Sequence, residues 1–391
     1  MAGIDLALTG GKVYASPADA SPRDATILVR GGAIAGVGAD LAEFSDAIEV
    51  LDCRGLTILA GFWNCHVHFF ERKWAGAASA PAAELAAQLE EFTRFGFTSV
   101  FDLSSNWENT RALRARIDSG EVLGPSIYST GEGLVPPGAL PPPDVLRVLG
   151  LMETPLPEVA DAAQAERAAR SLLERGVDGI KLFMSSQHGK RLERETIRAA
   201  TRLAQHSGKP VFAHPNDEAD VAAAVQGGVD VIAHTTPRSG PWSEAMLEAM
   251  RQRDVALIPT LLLWDRTMRH DRLGARRALV DTAVAQLAAW LARDGNLLFG
   301  TDLGAVDPDP SREYALMAQA GAGFARILDS LTTAPARRFG AVQLGAVVAG
   351  HQADLVVLDA DPSQRLDALT AVRYTLRAGR VVYRAAKASR A

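Results

Sequence analysis

Short apolar runs alternate with helical stretches through most of the chain. The strand candidates are LTILAGFWNCHVH, TSVFDL, SIYSTG, GIKLFM, PVFAH, VIAH, VALIPT and NLLFGTD. Segments with apolar residues at helical spacing separate many of them, among them PAAELAAQLEEFTRFG, AERAARSLLERG and SEAMLEAMRQRD. Eight strand–helix units predict an α/β protein with a (β/α)8 TIM-type barrel over residues 57–340. An open doubly wound sheet is the alternative.

The two ends of the chain show a different pattern. The segments DLALTGGKVY, ATILVRGGAIAGVG and AIEVLDCRG near the start, and ADLVVLDADP and YTLRAGRVVY near the end, indicate short strands separated by turns. Neither end is long enough to form a stable sheet with a core of its own. We therefore expect one small β-sandwich domain built from residues 1–56 and 341–391, with the barrel inserted between its halves.

Composition and charge narrow the class of protein. Hydrophobic residues at 48% and charged residues at 22% are typical of a globular protein. The net charge of −5 gives no electrostatic basis for binding nucleic acid or an anionic membrane, so we expect a small-molecule substrate and leave a homo-oligomer open. Two cysteines allow no disulfide framework, and no apolar run could span a bilayer, which favours the cytoplasm.

The segment GFWNCHVHFF places His66 and His68 at the end of a predicted strand. Because side chains alternate along a strand, both histidines should point to one side and Cys65 and Val67 to the other. We therefore expect Cys65 to pack against the surrounding helices. Two histidines alone cannot complete a metal site.

Further polar residues follow other strands at matching positions. His214 in VFAH and His234 in VIAH each follow an apolar tripeptide, and Asp302 ends LFGTD. Either histidine alone would more often be a hydrogen-bonded core residue. In a barrel, however, the carboxyl ends of the strands meet at one face. Three or four neutral imidazoles with a carboxylate there predict a metal site, most plausibly for zinc.

Lys181 lies inside the apolar segment GIKLFM. An ammonium group buried there without a partner would be costly. The residue pattern leaves two interpretations open. The lysine could pair with a nearby carboxylate, or it could be chemically altered to carry negative charge and bind metal.

Taken together, these motifs resemble the amidohydrolase superfamily over essentially the whole chain. The HxH motif, the lysine on the fourth barrel strand, the histidines after the fifth and sixth and the aspartate after the eighth follow its metal-site pattern. The segment GHQADLVVLDADP is similar to the family's closing segment. The segments GVDGIKLF, GGVDVIAH, GPSIYSTG and LTTAPARRFG are most similar to the imidazolonepropionase-related branch, which includes metal-dependent dipeptidases and prolidase-like amide hydrolases.

The resemblance implies a binuclear metal centre with a CO2-derived carbamate on the lysine. It assigns His66, His68 and Asp302 to one divalent ion, His214 and His234 to the second, and Lys181 to both. A metal-activated hydroxide would then cleave the C–N amide bond of a dipeptide or N-acyl amino acid, with Asp302 as general base and then general acid. Zinc is the most plausible ion.

Two other functions remain open. Imidazolonepropionase itself lacks the lysine and uses one metal ion, so a mononuclear hydrolase of a cyclic amide or imide, or a deaminase, is the alternative. A non-catalytic scaffold that kept the barrel is the third possibility. Such proteins usually lose ligands, whereas this chain retains all six candidates, which argues against a scaffold.

The chain departs from the family pattern at two places. Asn64 stands where family members usually have aspartate, and the loop LGAVDPDPSREYALM lacks a histidine that many relatives carry. Substrate contacts are expected from loops at the barrel mouth. Arg238 could hold a substrate carboxylate in a bidentate pair. The other candidates, each of which could equally be a packing or exposed loop residue, are Tyr128, His188, Glu132, Trp107 and Trp264.

Overall fold

The computed structural model describes residues 4–38, 49–139, 156–186, 190–267, 273–304 and 308–386. These residues form sixteen strands, which are β1 (Leu6–Val13), β2 (Arg23–Arg30), β3 (Ala33–Gly38), β4 (Glu49–Asp52), β5 (Thr57–Ala60), β6 (Phe62–Val67), β7 (Phe97–Asp102), β8 (Ser126–Ser129), β9 (Ile180–Phe183), β10 (Val211–His214), β11 (Val231–Ala233), β12 (Ala256–Ile258), β13 (Asn296–Leu297), β14 (Leu355–Leu358), β15 (Val372–Arg377) and β16 (Arg380–Arg384).

The same residues form eleven α-helices. They are α1 (Ala82–Thr93), α2 (Trp107–Asp118), α3 (Ala162–Glu174), α4 (Arg194–His206), α5 (Glu218–Gly227), α6 (Glu244–Gln252), α7 (Leu261–Thr267), α8 (Leu273–Leu291), α9 (Ser311–Gln319), α10 (Phe324–Leu331) and α11 (Thr333–Arg338). Within the described ranges, none of these helices is long and apolar enough to cross a membrane.

Strands from both ends of the chain form one eight-stranded sheet, here called the terminal sheet. Its strand order is β16-β15-β14-β5-β1-β2-β3, with β4 paired to β1. In β2, Ala25, Ile27 and Val29 are buried at alternate positions and join a core formed largely by the strands of this sheet. The two ends therefore share a sheet and a core. Its arrangement as a two-layered sandwich stays a prediction, as does the division into domains.

The middle of the chain forms two parallel sheets with helices between their strands. One sheet contains β6, β7 and β8, and the other contains β9 to β13 in sequence order. Helix α4 shows why the intervening segments are helical, because its buried Ile197, Ala200 and Ala204 recur at intervals of three and four residues and form one apolar face. The predicted α/β class with parallel strands is confirmed.

Backbone hydrogen bonds join the outer strands of the two parallel sheets. The N–H of Cys65 donates to the carbonyl of Phe299 at 2.8 Å, which connects β6 to the segment after β13. On the opposite side, the N–H of Leu134 donates to the carbonyl of Lys181 at 2.8 Å, and the N–H of Phe183 donates to the carbonyl of Leu134 at 2.9 Å. The segment after β8 is thereby connected to β9.

The apolar run LTILAGFWNCHVH forms two strands and not the single strand predicted. Strand β5 pairs with β14 in the terminal sheet, whereas β6 pairs with β7 in a parallel sheet. Gly61 lies between them, and a Cβ atom added there would lie 2.2 Å from Oγ1 of Thr98. An uninterrupted apolar run does not reveal a change of sheet, because both strands are completely buried.

Replacing Gly61 with alanine should lower the free energy of unfolding by about 1–3 kcal/mol, because the added methyl group overlaps the buried Thr98 side chain. Urea unfolding measures this change. Gly274→Ala in α8 is the matched control, since the added Cβ would meet no described atom within 4 Å other than those of its own helix and chain neighbours. That substitution should be neutral or stabilise by about 0.5–1 kcal/mol. Equal losses in both variants would contradict the steric explanation.

Candidate metal centre

The six predicted metal ligands all lie on or next to parallel strands. His66 is in β6 and His68 directly follows it, Lys181 is in β9, His214 ends β10, His234 directly follows β11, and Asp302 lies beyond β13. His66 and Lys181 are completely buried, and His234 is 1% exposed. The residues therefore converge from separate strands on a buried location.

Side chains of this cluster are close enough to share a cation. Nε2 of His66 and Nε2 of His68 lie 3.3 Å and 2.8 Å from Oδ1 of Asp302. The ring of His234 is centred 4.6 Å from that of His66 and 4.5 Å from that of His214. Within the described residues, ligand atoms of His66, His234 and Asp302 all lie within 4.8 Å of one another. A single ion could contact these three.

Several buried nitrogen atoms here have no hydrogen-bond partner among the described residues. They include Nε2 of His66, Nε2 of His234 and Nζ of Lys181. A buried polar atom left without a partner costs about 1–3 kcal/mol. A divalent cation would satisfy the imidazole nitrogens, so the residues that are present fit a metal site.

Burial also sets the protonation of the basic groups. It lowers the pKa of His214 to about 4 and the pKa of Lys181 to about 7, although Asp302 opposes the second shift. Burial likewise lowers the pKa of His66 and of His234 well below the ordinary value. At neutral pH these imidazoles are neutral, which is the form that binds metal.

Asn64 connects two of the predicted ligand segments. Its Oδ1 accepts hydrogen bonds from the N–H groups of His66 and Thr301, both at 3.2 Å. Its Nδ2 donates to Oγ1 of Thr301 at 2.8 Å. Because Thr301 precedes Asp302, this single buried amide fixes the position of His66 relative to Asp302.

Sequence reasoning missed a buried carboxylate next to the cluster. Asp102, the last residue of β7, accepts hydrogen bonds from the N–H of Phe69 at 3.3 Å and from the hydroxyls of Ser105 and Ser129 at 2.6 and 2.7 Å. It thereby fixes the turn that follows His68. Its place at the end of a buried strand was the signal that could have identified it, as it did for Asp302.

Backbone strain is concentrated around the cluster. His234, Thr260 and Asp302 have φ values of 91°, 44° and 64°, a region that residues other than glycine seldom adopt. Each such conformation costs about 1–3 kcal/mol and persists only where surrounding contacts enforce it. Strain of this kind is typical of functional sites.

Three of the predicted mouth-loop residues make contacts within the protein. Tyr128 lies within β8 and not in a loop, with its ring packed 4.9 Å from that of Trp63, and burial raises its pKa to about 12. Glu132 accepts a hydrogen bond from the N–H of Trp107 at 3.1 Å and forms an ion pair with Arg175 at 3.0 Å. These contacts stabilise the fold locally, and contact of these three residues with a substrate stays a prediction.

Three further substrate candidates are Arg238, Trp264 and His188, and the structure does not test their contact with a substrate. Arg238 is exposed in the short helix Pro237–Ser239, four residues after His234. The indole N–H of Trp264 donates to Oγ1 of Thr235 at 2.9 Å. His188 lies outside the described residues. The carboxylate contact of Arg238 stays a prediction.

The expectation that Cys65 packs against helices was wrong. Cys65 is buried in a cluster made mainly of strand residues, including Trp63, Phe101 and Phe212. The register of β6 against β7 shifts between Asn64 and Val67. Such an irregularity breaks the strict alternation of side chains on which the expectation relied.

Comparisons with known proteins show which folds the chain is similar to. No curated protein sequence matches the chain. Among solved structures, a Xaa-Pro dipeptidase with bound methionine has a TM-score of 0.82 at 20% identity, covering 97% of this chain and 100% of that one. A putative prolidase from Bifidobacterium longum has a TM-score of 0.80 at 25% identity, covering 98% and 96%. The A. niger ochratoxinase has a TM-score of 0.77 at 21% identity, covering 96% and 95%.

The family assignment comes from the sequence itself. The model of the amidohydrolase family matches residues 57–383, which is most of the chain. This match confirms the resemblance at the level of the superfamily, and members of the family act on carbon–nitrogen bonds. The chain belongs to the amidohydrolase family and is a hydrolase of carbon–nitrogen bonds.

Proposed function

We propose that this protein hydrolyses the amide bond of a dipeptide or an N-acyl amino acid at a binuclear metal centre. The observation that carries the proposal is the convergence of neutral imidazoles, a carboxylate and a buried lysine in an amidohydrolase chain. Solved structures of similar fold are named as a Xaa-Pro dipeptidase and a putative prolidase, which favours a dipeptide. We expect the enzyme to be cytoplasmic, because both of its cysteines are free thiols.

A closed barrel is part of this proposal. Strands β6 to β13 would form one eight-stranded barrel, and the terminal sheet would be a separate domain. The backbone hydrogen bonds of Cys65 with Phe299 and of Leu134 with Lys181 support it, because they connect β6 to the segment after β13 and β9 to the segment after β8. In such barrels catalytic groups lie at the carboxyl ends of the strands.

The proposed ligand sets follow the contacts of the cluster. One set is His66, His68 and Asp302, in which the Nε2 atoms of both histidines lie within 3.3 Å of Oδ1 of Asp302. The second is His214 and His234, whose rings are adjacent. The rings of His66 and His234, one from each set, are centred 4.6 Å apart, so the two sets are neighbours, and Lys181 would bind both ions. A donor set rich in imidazole suits zinc.

The chemistry of Lys181 supports a carbamate. Burial lowers the pKa of Lys181 to about 7, so near neutral pH a large fraction of the protein molecules carry this side chain as the neutral amine. A neutral amine adds to CO2 through its nitrogen lone pair and releases one proton, which gives a carbamate anion. An anion bound by cations removes the cost of a buried, unpaired ammonium group.

The residues of the site account for proton transfer. Divalent ions bound there would polarise a carbonyl and lower the pKa of water. Asp302 would accept a proton from the attacking water and deliver it to the departing nitrogen, because an amine leaves far more readily than an amide anion. Arg238, on the loop after β11, would hold the substrate carboxylate.

One observation favours a second function. His66, His234 and Asp302 alone place their ligand atoms within 4.8 Å of one another, which would suffice for one ion. A mononuclear hydrolase of a cyclic amide or imide, or a deaminase, would use such a site with Lys181 unmodified. The number of bound ions distinguishes the two proposals.

The zinc-loaded protein should release free amine from members of dipeptide and N-acyl amino acid libraries. Asp302→Asn should lower kcat by about 100- to 10,000-fold, because the proton acceptor is lost. Asp281→Asn, on the exposed surface of α8, is the control and should retain full kcat. If no amine were released from any of these substrates, the result would favour the alternative enzyme that acts on a cyclic amide or imide.

Lys181→Ala should reduce the bound metal from two ions per chain to at most one and lower activity by at least about 100-fold. Elemental analysis after reconstitution, with and without bicarbonate, measures the binding. Reconstitution of the unaltered protein should require bicarbonate. Lys209→Ala, which removes a partly exposed lysine, should leave both ions bound. Full activity of Lys181→Ala with one ion would support the mononuclear alternative.

Asn64→Ala should weaken metal binding and lower the free energy of unfolding by about 2–4 kcal/mol, because it leaves two buried N–H groups without an acceptor. Asn64→Asp should lose less, since a carboxylate can accept both bonds. Chelator competition and urea unfolding provide the two measurements. If both variants lose the same stability, the two backbone hydrogen bonds are not the cause.

A further inference from the structure

We propose that Thr260 and Glu313 are positioning residues that fix the ring tautomer of His234, so that its bare Nε2 faces the metal centre. The inference rests on the proposed metal centre and concerns two residues outside the ligand set. Thr260 lies between β12 and α7, and Glu313 lies in α9. Each step follows from hydrogen bonds of buried groups.

The hydroxyl of Thr260 determines which nitrogen of His234 carries the proton. Oγ1 of Thr260 lies 2.9 Å from the carbonyl of Pro259, to which it donates, and 2.7 Å from Nδ1 of His234. A hydroxyl has only one proton, and a carbonyl can only accept. Once that proton is given to Pro259, the Thr260 oxygen must accept from Nδ1–H of His234.

The consequence for the ring is a free lone pair on the other nitrogen. Nε2 of His234 is buried and has no hydrogen-bond partner among the described residues. With the proton on Nδ1, Nε2 is the basic nitrogen and is the one left to bind a cation. His234 is one of the three residues, with His66 and Asp302, that each offer a ligand atom within 4.8 Å of the others. The opposite tautomer would direct an N–H group at the cation.

Because the hydroxyl of Thr260 contacts the ring of His234, it does not cap the start of α7. A threonine that precedes a helix commonly accepts hydrogen bonds from N–H groups of the first turn with its own hydroxyl. The hydroxyl oxygen of Thr260 instead accepts from Nδ1–H of His234. Thr260 also adopts a φ of 44°, which is strained for a β-branched residue. The first N–H groups of α7 therefore need an acceptor from elsewhere.

Glu313 supplies that acceptor. Its side chain is completely buried, and its two carboxylate oxygens accept hydrogen bonds from the N–H groups of Leu261 and Leu262 at 2.9 and 2.6 Å. A carboxylate at this position is also favoured by the dipole of the helix. Glu313 thus caps α7 from another helix and leaves the Thr260 hydroxyl free to orient His234.

The first experiment removes the acceptor and keeps the shape of the side chain. Thr260→Val should weaken zinc binding by about 10- to 100-fold in competition with a chromogenic chelator, whereas Thr260→Ser should stay within about three-fold. Nitrogen-15 NMR of histidine-labelled, metal-free protein should show His234 protonated at Nδ1, and as a tautomer mixture in Thr260→Val. The signal is assigned with His234→Asn. Unchanged affinity or an unchanged tautomer in Thr260→Val would overturn the proposal.

The second experiment tests whether Glu313 acts through Thr260. Glu313→Gln should weaken zinc binding several-fold, but should cause no further loss in a protein that already carries Thr260→Val. Asp354→Asn is the control, because Asp354 is another buried carboxylate that accepts a backbone N–H, from Ala378 in the terminal sheet. It should leave zinc affinity unchanged. Independent losses from Glu313→Gln and Thr260→Val would overturn the role of Glu313.

These measurements are separate from the proposed reaction. They use no amide substrate, so a failure to release amine would leave the affinities interpretable. If the unaltered protein bound no zinc, the metal centre would fail, and the tautomer of His234 in metal-free protein would still be tested by NMR.

Discussion

The position of the candidate site depends on the contact between β6 and the chain that follows β13. The N–H of Asp302 donates to the carbonyl of His66 at 2.8 Å, and the N–H of His68 donates to the carbonyl of Leu303 at 2.7 Å. Asn64 stabilises the same contact, because its Oδ1 accepts hydrogen bonds from the N–H groups of His66 and Thr301. Residues almost 240 positions apart in the sequence are thereby held in register, and the imidazoles and carboxylate come into contact because the backbone is already fixed.

A second constraint is the low polarity of the surroundings. Burial keeps the imidazoles neutral and the lysine close to neutrality, so the groups are held ready to bind a cation without first losing protons. The same burial makes each unpartnered nitrogen costly. Other buried carboxylates near the cluster, Asp102 and Glu313, accept hydrogen bonds from within the protein and so avoid this cost.

The sequence allowed the positions of the parallel strands to be predicted, because short buried apolar runs between helical segments are a local pattern. The roles of the polar residues after these strands as metal ligands stay a prediction. All eight barrel-strand candidates correspond to observed strands, although the first one divides at Gly61. Contacts between distant segments could not be predicted. No local pattern indicates that Thr260 turns away from its own helix or that Glu313 caps it, since both depend on how α7 and α9 pack. The packing of Cys65 was predicted wrongly, because the amino-acid sequence does not reveal the register shift between Asn64 and Val67.

The pairing of β5 with β14 has a consequence for how the chain folds. Leu59 and Val356 are partners in the terminal sheet although about 300 residues separate them. During synthesis, β5 therefore lacks this partner until about 300 further residues have been made. Only Gly61 separates β5 from β6, the strand that carries His66. The position of β6 is therefore not fully fixed until β5 has paired with β14. Until then, the free edge of β5 is an apolar surface open to aggregation.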